Sequence, residues 1–184
     1  MENIEKTQQR YDLKKDILEW FEAIVVSLTV VILLFTFVFR MVGVDGSSMV
    51  PTLHDNDRLV ISNLFYQPKQ GDIVIISQTE GYAKPLVKRV IATEGQEVDI
   101  DFREGIVYVD GKALDEPYVA GPTRSKFDVE FPQIVPEGKL FVLGDNRGNS
   151  TDSRSSRVGM VDEKVILGKA ILRVLPFEDF GIVK

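Results

Sequence analysis

The stretch GDIVIISQTEGYAKPLVKRVIATEGQEVDID, from Gly71 to Asp101, decides the fold. It holds three short apolar runs, Gly71–Ser77, Leu86–Thr93 and Gly95–Asp101, rich in Val and Ile and bounded by Gly, Pro and Thr. Such runs are too short for stable helices and carry β-branched residues on a two-residue period, so they read as strands. The same pattern continues outward in both directions. DRLVIS (Asp57–Ser62) precedes the stretch, while GKLFVLGD (Gly138–Asp145) and GKAILRVLPF (Gly168–Phe177) follow it. In GIVYVDGKAL, Asp110-Gly111 sits between two runs, the two-residue signal for a tight hairpin. Pro117, Pro122, Pro132 and Pro136 punctuate a long connection from Glu116 to Gly138. Residues 43–184 are therefore expected to form a mainly β domain of antiparallel sheets. There is no internal repeat and no low-complexity tract.

Toward the N-terminus the pattern changes. AIVVSLTVVILLFTFVF, Ala23 to Phe39, has no charge and is apolar on every side. Its 17 residues rise about 26 Å as a helix, near the lower limit for crossing a bilayer core. Met41 and Val42 extend the apolar length, and Arg40 is placed to snorkel to the interface. This predicts a transmembrane signal-anchor helix over 23–42, behind a cytoplasmic segment, 1–22. A core helix would carry a polar face. A cleaved signal peptide would have a shorter apolar region and a small-x-small site after it, and RMVGVDG is a poor match. Lys6, Arg10, Lys14 and Lys15 precede the span, whereas only Arg40 and Arg58 follow it closely. That asymmetry predicts a cytoplasmic N-terminus and an extracytoplasmic domain.

Composition narrows the chemistry. The formal net charge of -6 argues against a nucleic-acid partner, which would require a basic face. With no cysteine, there is no thiol nucleophile, disulfide or thiolate metal site. The one histidine, His54, leaves no room for a His-rich metal site, and any Ser-His-Asp triad would have to use it.

Three stretches outside the strand pattern carry candidate chemistry. VDGSSMVPTL (Val44–Leu53) reads on composition as a linker between anchor and domain. It also offers two serines, and a serine becomes a nucleophile only beside a base. His54 is near in sequence but lies in LHDND, a solvated turn. Lys88 is the other candidate. In PLVKRVIAT, strand alternation places Leu86, Lys88 and Val90 on one face, so the amine has apolar neighbours, while Arg89 points away. Desolvation lowers a lysine pKa toward the working range. An edge-strand lysine that discourages aggregation fits the same spacing. The third stretch, LGDNRGNSTDSR (Leu143–Arg154), reads as a surface loop or as a polar buttress in which Asp152 pairs with Arg154. A calcium loop fits poorly, because Arg147 would fall at a ligand position.

Taken together and in order, these stretches resemble the bacterial type I signal peptidases, in the single-anchor form typical of Gram-positive bacteria. GSSMVPTL (Gly46–Leu53) is similar to the family's nucleophile box, with its serine immediately before Met. YQPKQGDIVII (Tyr66–Ile76) resembles a supporting strand box, KRVIATEGQEV (Lys88–Val98) the general-base box and GDNRGNSTDSR (Gly144–Arg154) the last box. The resemblance covers the anchor and most of residues 40–175. It implies an all-β signal-peptidase-like catalytic domain and a membrane-anchored serine endopeptidase that removes signal peptides at small-x-small sites through an acyl-enzyme. It assigns Ser48 as nucleophile and Lys88 as neutral general base. Ser150, with Asp145, Asp152 and Arg154, would orient the base and brace the site. Some relatives have a serine where this chain has Gly46, so the oxyanion hole is expected to rest on the Ser48 backbone N–H, with a contribution near Gly46. Val44, Met49, Leu53 and Val87 are expected to line the substrate pocket. No metal or organic cofactor is implied. The partners implied are signal peptides of secretory preproteins, membrane lipid and the secretion translocon.

Overall fold

The computed structural model describes residues 2–37, 39–79 and 84–183. Of the expected segments 1–22, 23–42 and 43–184, residues 1, 38, 80–83 and 184 lie outside the described residues. The chain divides into two units, Met1–Phe39 and Arg40–Lys184. The first is a single helix, α1 (Glu2–Phe37). Its Lys15–Leu34 part is long and apolar enough to cross a membrane, and none of it is buried within the protein. Trp20, Phe21, Ile24, Leu28 and Ile32 all stand exposed along it. A core helix would be covered by its own chain, whereas this one presents an exposed apolar surface of membrane-spanning length.

The helix is shorter at its C-terminal end than the expected 23–42. It ends at Phe37, and Phe39–Gly43 forms strand β1. The reason lies in the neighbouring backbone. β1 pairs with β2 (Arg58–Ser62), and Val42 packs against an apolar cluster of the second unit. Continuous hydrophobicity hid this boundary, because an apolar residue suits lipid and protein core alike.

The second unit is mainly antiparallel sheet. After β1 and β2 come β3 (Ile73–Ile76), β4 (Leu86–Thr93), β5 (Glu97–Asp101), β6 (Ile106–Val109), β7 (Lys112–Ala113) and β8 (Gln133–Ile134). The chain then continues through β9 (Lys139–Leu143), β10 (Val161–Asp162), β11 (Ile166–Leu175) and β12 (Gly181–Ile182). The larger sheet has the order β1-β2-β11-β3-β4-β9-β10, with β12 also on β11; the smaller has the order β7-β6-β5-β8. The β6–β7 hairpin closes through Asp110 and Gly111, both at positive φ (51° and 72°), as a two-residue turn with right-handed strand twist requires.

The apolar patterns follow from what covers each face. β3 is buried at all four residues because Val74 and Ile76 face one cluster while Ile73 and Ile75 face another. β9 splits in the same way. Leu140 and Val142 join the Val74 cluster, while Phe141 and Leu143 pack toward the smaller sheet with Val98, Ile100, Val107 and Val109. β4 and β9 thus form the middle layer of the unit. In the same sheet β11 lies between β2 and β3, pairing with β3 from Ile166 to Lys169 and with β2 from Lys169 to Leu175, with register shifts along both pairings.

Phe141 is fully buried where the two sheets meet, with its ring edge-on to Phe131. Phe141→Ala is expected to lower unfolding stability by about 3–5 kcal/mol. Denaturant unfolding of the purified protein measures this.

Candidate active site

Two positions far apart in sequence meet at the edge of this core. Ser48 lies on the turn after β1, and Lys88 is the third residue of β4. The Ser48 turn is fastened from below. Met49 and Leu53, each 1% exposed, reach into the cluster of Val44, Leu59, Ile61, Ile73, Ile75 and Ala170. Within the turn, the N–H groups of Val50 and Leu53 donate to the carbonyls of Ser47 and Met49. The chain is therefore held on both sides of Ser48, and its hydroxyl stays at the surface of the core.

Lys88 is 2% exposed. The pleat puts it on the face of Leu86 and Val90, opposite Val74 of β3, so its stem runs among apolar side chains. Its Nζ lies 2.7 Å from Ser48 Oγ and 3.1 Å from the Val87 carbonyl oxygen, donating to both. The Lys88 amine is lowered to about 8: burial pushes it down most, Asp152 and Asp145 pull it up, and Arg154 pushes it down. Those two carboxylates are themselves occupied. Asp152 accepts from Arg154 Nε and Nη2 at 2.8 and 2.9 Å, and from the Gly144 N–H. Asp145 accepts from Arg89 Nε and Nη2 at 2.9 and 2.7 Å, and from the Thr52 hydroxyl. Each acid near the amine thus has an arginine of its own. No carboxylate bonds Lys88 directly among the described residues, and burial remains the larger influence.

The remaining expected residues fall as follows. Asp152 and Arg154 pair, both fully buried. Asp145 lies on the Arg89 and Thr52 side, where it ties the last loop to β4 and to the Ser48 turn, with no hydrogen bond to the lysine among the described residues. Ser150 Oγ is buried without a hydrogen-bond partner among the described residues, so it does not bond Lys88 in this structure. It does sit at the site: a Cβ on Gly144 would collide with Ser150 Oγ and lie 2.5 Å from the Ser48 carbonyl oxygen. Gly46 has φ +91, and its N–H donates to Asp55 Oδ1 at 2.8 Å, so that donor is already engaged. Val44, Met49 and Leu53 are core members with Val87 packed against them, a shared apolar wall beneath the Ser48 turn. His54 is exposed; its main-chain N–H donates to Asp57, and no hydrogen bond joins its ring to Ser48 among the described residues.

Several contributors carried no sequence signal. The Pro-rich connection supplies Glu116, Tyr118 and Thr123. Arg147, 1% exposed, pairs with Glu116 at 2.5 Å and donates to the Thr123 hydroxyl and the Gly144 carbonyl. The Tyr118 ring lies 3.8 Å from the Arg89 guanidinium carbon. Ser47 also differs from Ser48: its Oγ accepts from Asn149 Nδ2 and its carbonyl from Asn146 Nδ2.

A buried amine against a serine hydroxyl, on a β scaffold behind a membrane-length helix, defines a candidate serine hydrolase. Comparison with known proteins identifies the class. The family model described as signal peptidase, peptidase S26, matches residues 17–175. Signal peptidase I T of Bacillus subtilis is 37% identical over 192 residues, covering 99% of this chain and 96% of that protein. Signal peptidase I of Bacillus amyloliquefaciens is 37% identical over 176 residues, covering 90% and 89%. Signal peptidase IB of Staphylococcus aureus is 33% identical over 186 residues, covering 91% and 94%. A solved signal peptidase I from Enterococcus faecalis aligns at a TM-score of 0.47 and 28% identity, over 56% of this chain and 97% of that one. The chain belongs to the peptidase S26 signal peptidases. It is a hydrolase of the signal peptidase I type, a family that cleaves signal peptides from preproteins and whose members are membrane-anchored.

Two outcomes follow from this geometry. Gly144→Ala is expected to lower the preprotein processing rate at least tenfold, because the new methyl group displaces Ser150 and the Ser48 main chain. Processing assays beside a thermal melt separate that loss from unfolding. The second outcome concerns stability. The Lys88 pKa is lower folded than unfolded, so the unfolded chain binds the proton more tightly. The penalty is full below about 8 and is released as pH rises toward 10.5. Lys88→Met is therefore expected to stabilise the protein at pH 7, by up to about 3 kcal/mol. That advantage should shrink between pH 8 and 10.5, as read by denaturant unfolding at each pH.

Proposed function

We propose that this chain cleaves signal peptides with Ser48 as nucleophile and neutral Lys88 as general base. The observation that carries the reading is the 2.7 Å separation of Lys88 Nζ from Ser48 Oγ, made by an amine that burial has pushed down to about 8. Neutral Lys88 takes the hydroxyl proton as Ser48 Oγ bonds to the scissile carbonyl carbon, and the oxyanion rests on the Ser48 N–H. The tetrahedral intermediate collapses: the carbon–nitrogen bond breaks, and Lys88 returns the proton to the leaving amine. An acyl-enzyme ester remains. Water then attacks it, giving a proton to Lys88, and Ser48 leaves with that proton as its hydroxyl is restored.

Ser150, Asp145, Asp152 and Arg154 serve this chemistry by holding the last loop against the lysine. Preference for small residues in a small-x-small motif is assigned to the apolar wall of Val44, Met49, Leu53 and Val87. Val44, Met49 and Leu53 are buried in this wall, and Val87 is its partly exposed member. The membrane helix is assigned as an uncleaved anchor, with residues 1–22 in the cytoplasm and the domain from residue 43 outside. Lipid and the secretion translocon are the surroundings in which preprotein is met. Tethering enzyme and substrate to one surface raises their effective concentration.

Lys88→Arg keeps the charge but supplies no base, so processing of a preprotein by the purified variant should fall at least a thousandfold. Processing at the wild-type rate would exclude the dyad. In the wild type, only about a tenth of Lys88 is neutral at pH 7 for a pKa of about 8. The kcat/KM is expected to rise about tenfold per pH unit on the acid limb and to level off above about 8.

A further inference from the structure

Asn146 holds the peptides on both sides of the nucleophile residue, Ser48. Its main-chain N–H donates to the Ser48 carbonyl at 3.0 Å, and its side-chain Nδ2 donates to the Ser47 carbonyl at 3.1 Å. The second contact matters because of what lies across the same peptide. The Ser47 carbonyl and the Ser48 N–H belong to one planar unit, so fixing the oxygen fixes the plane in which the N–H points. A donor on that oxygen also polarises the unit and strengthens the N–H as a donor in turn. The Ser48 N–H carries no hydrogen bond among the described residues. The neighbouring Gly46 N–H is taken by Asp55. The Ser48 N–H therefore remains open beside the hydroxyl, and the Asn146 side chain sets its direction together with the Val50 N–H, which donates to the same Ser47 carbonyl at a longer 3.3 Å.

We propose that Asn146 is a positioning residue for the oxyanion, acting through the Ser47–Ser48 peptide. This rests on the reading of Ser48 as nucleophile. A carbonyl oxygen turning into an oxyanion demands more of a donor than the ground-state substrate does, so the effect belongs to kcat. Asn149 differs, because its side chain reaches Ser47 Oγ and not the peptide. The Arg147 side chain between them, with the Gly144 carbonyl and Glu116 as partners, fixes the loop that presents both asparagines.

The test uses the full-length protein in detergent micelles and a preprotein substrate, with Asn146→Ala and Asn146→Asp compared. Both keep the main-chain bond to Ser48. The aspartate keeps the shape but replaces the donor with a carboxylate that repels the Ser47 oxygen. The expected result is a five- to twentyfold fall in kcat for Asn146→Ala. Asn146→Asp should lose at least as much. KM should stay within about twofold, and the pH midpoint should match wild type, since Lys88 is untouched. A wild-type kcat in either variant overturns the proposal. So does a loss confined to KM, or a shifted pH midpoint, which would place Asn146 with substrate binding or with the base. Ser48→Ala, assayed alongside, keeps the two readings apart. If it still processes preprotein, the nucleophile assignment fails; if it is inactive while Asn146→Ala is unimpaired, only the oxyanion role fails.

Discussion

A lysine amine withheld from water is the constraint on which the rest of this structure depends. In solvent its pKa lies above 10, and it would be an ammonium with no capacity to take a proton. On β4 it sits in the middle layer of the larger sheet, flanked by β3 and β9, with apolar neighbours on its own face. Those surroundings favour the neutral form. The same placement brings carboxylates near, and these work the other way. Asp152 and Asp145 would restore the charge if they were bare. Arg154 and Arg89 each hold one of them, so the lysine amine stays depressed rather than becoming half of an ion pair. The buried arginines at this site are explained by the lysine as much as by packing.

Burying so many ions is unfavourable unless each is partnered. Here the partners come from segments distant in sequence, and the pairs thereby act as fasteners. Arg89 on β4 holds Asp145 of the last loop, and Asp145 in turn accepts from Thr52, four residues beyond Ser48. Arg147 and Glu116 join that loop to the long connection before β8. Arg154 reaches the carbonyls of Arg147 and Ser125. A loop of small and polar residues with little apolar burial of its own is thereby held firmly against Ser48. Gly144 is the place where this closeness leaves no space for a side chain.

Much of this was legible in the chain. The runs around β2 to β6, β9 and β11 carried their own periodicity and turn residues, and β4 spans the expected Leu86–Thr93. Lys88 was singled out because alternation put apolar residues on its face, and that reasoning required no tertiary information. Where local pattern was silent, the reading ran out. Strand β7 is signalled by Asp110-Gly111, whereas the two-residue strands β8, β10 and β12 are defined by a neighbouring backbone, which so short a stretch does not announce. The helix end at Phe37 was hidden because Val42 suits lipid and core equally. The engagement of the Gly46 N–H by Asp55 is a turn contact that no spacing rule encodes. Glu116 and Tyr118 looked like part of a proline-punctuated connector, since ion pairs across a fold leave no trace in one sequence. Ser150 lies beside Gly144, but its hydroxyl, expected to orient Lys88, has no hydrogen-bond partner among the described residues.

The central claim, a base made from a lysine by burial, is tested most directly by titrating that amine. Full-length protein in micelles, carrying lysine labelled with carbon-13 at Cε, would be followed by NMR from pH 6 to 11. The Lys88 signal is the one missing from Lys88→Met. The account predicts a midpoint near 8 for that signal. A midpoint near 10.5, the ordinary lysine value, would contradict it and remove the base from the proposed mechanism.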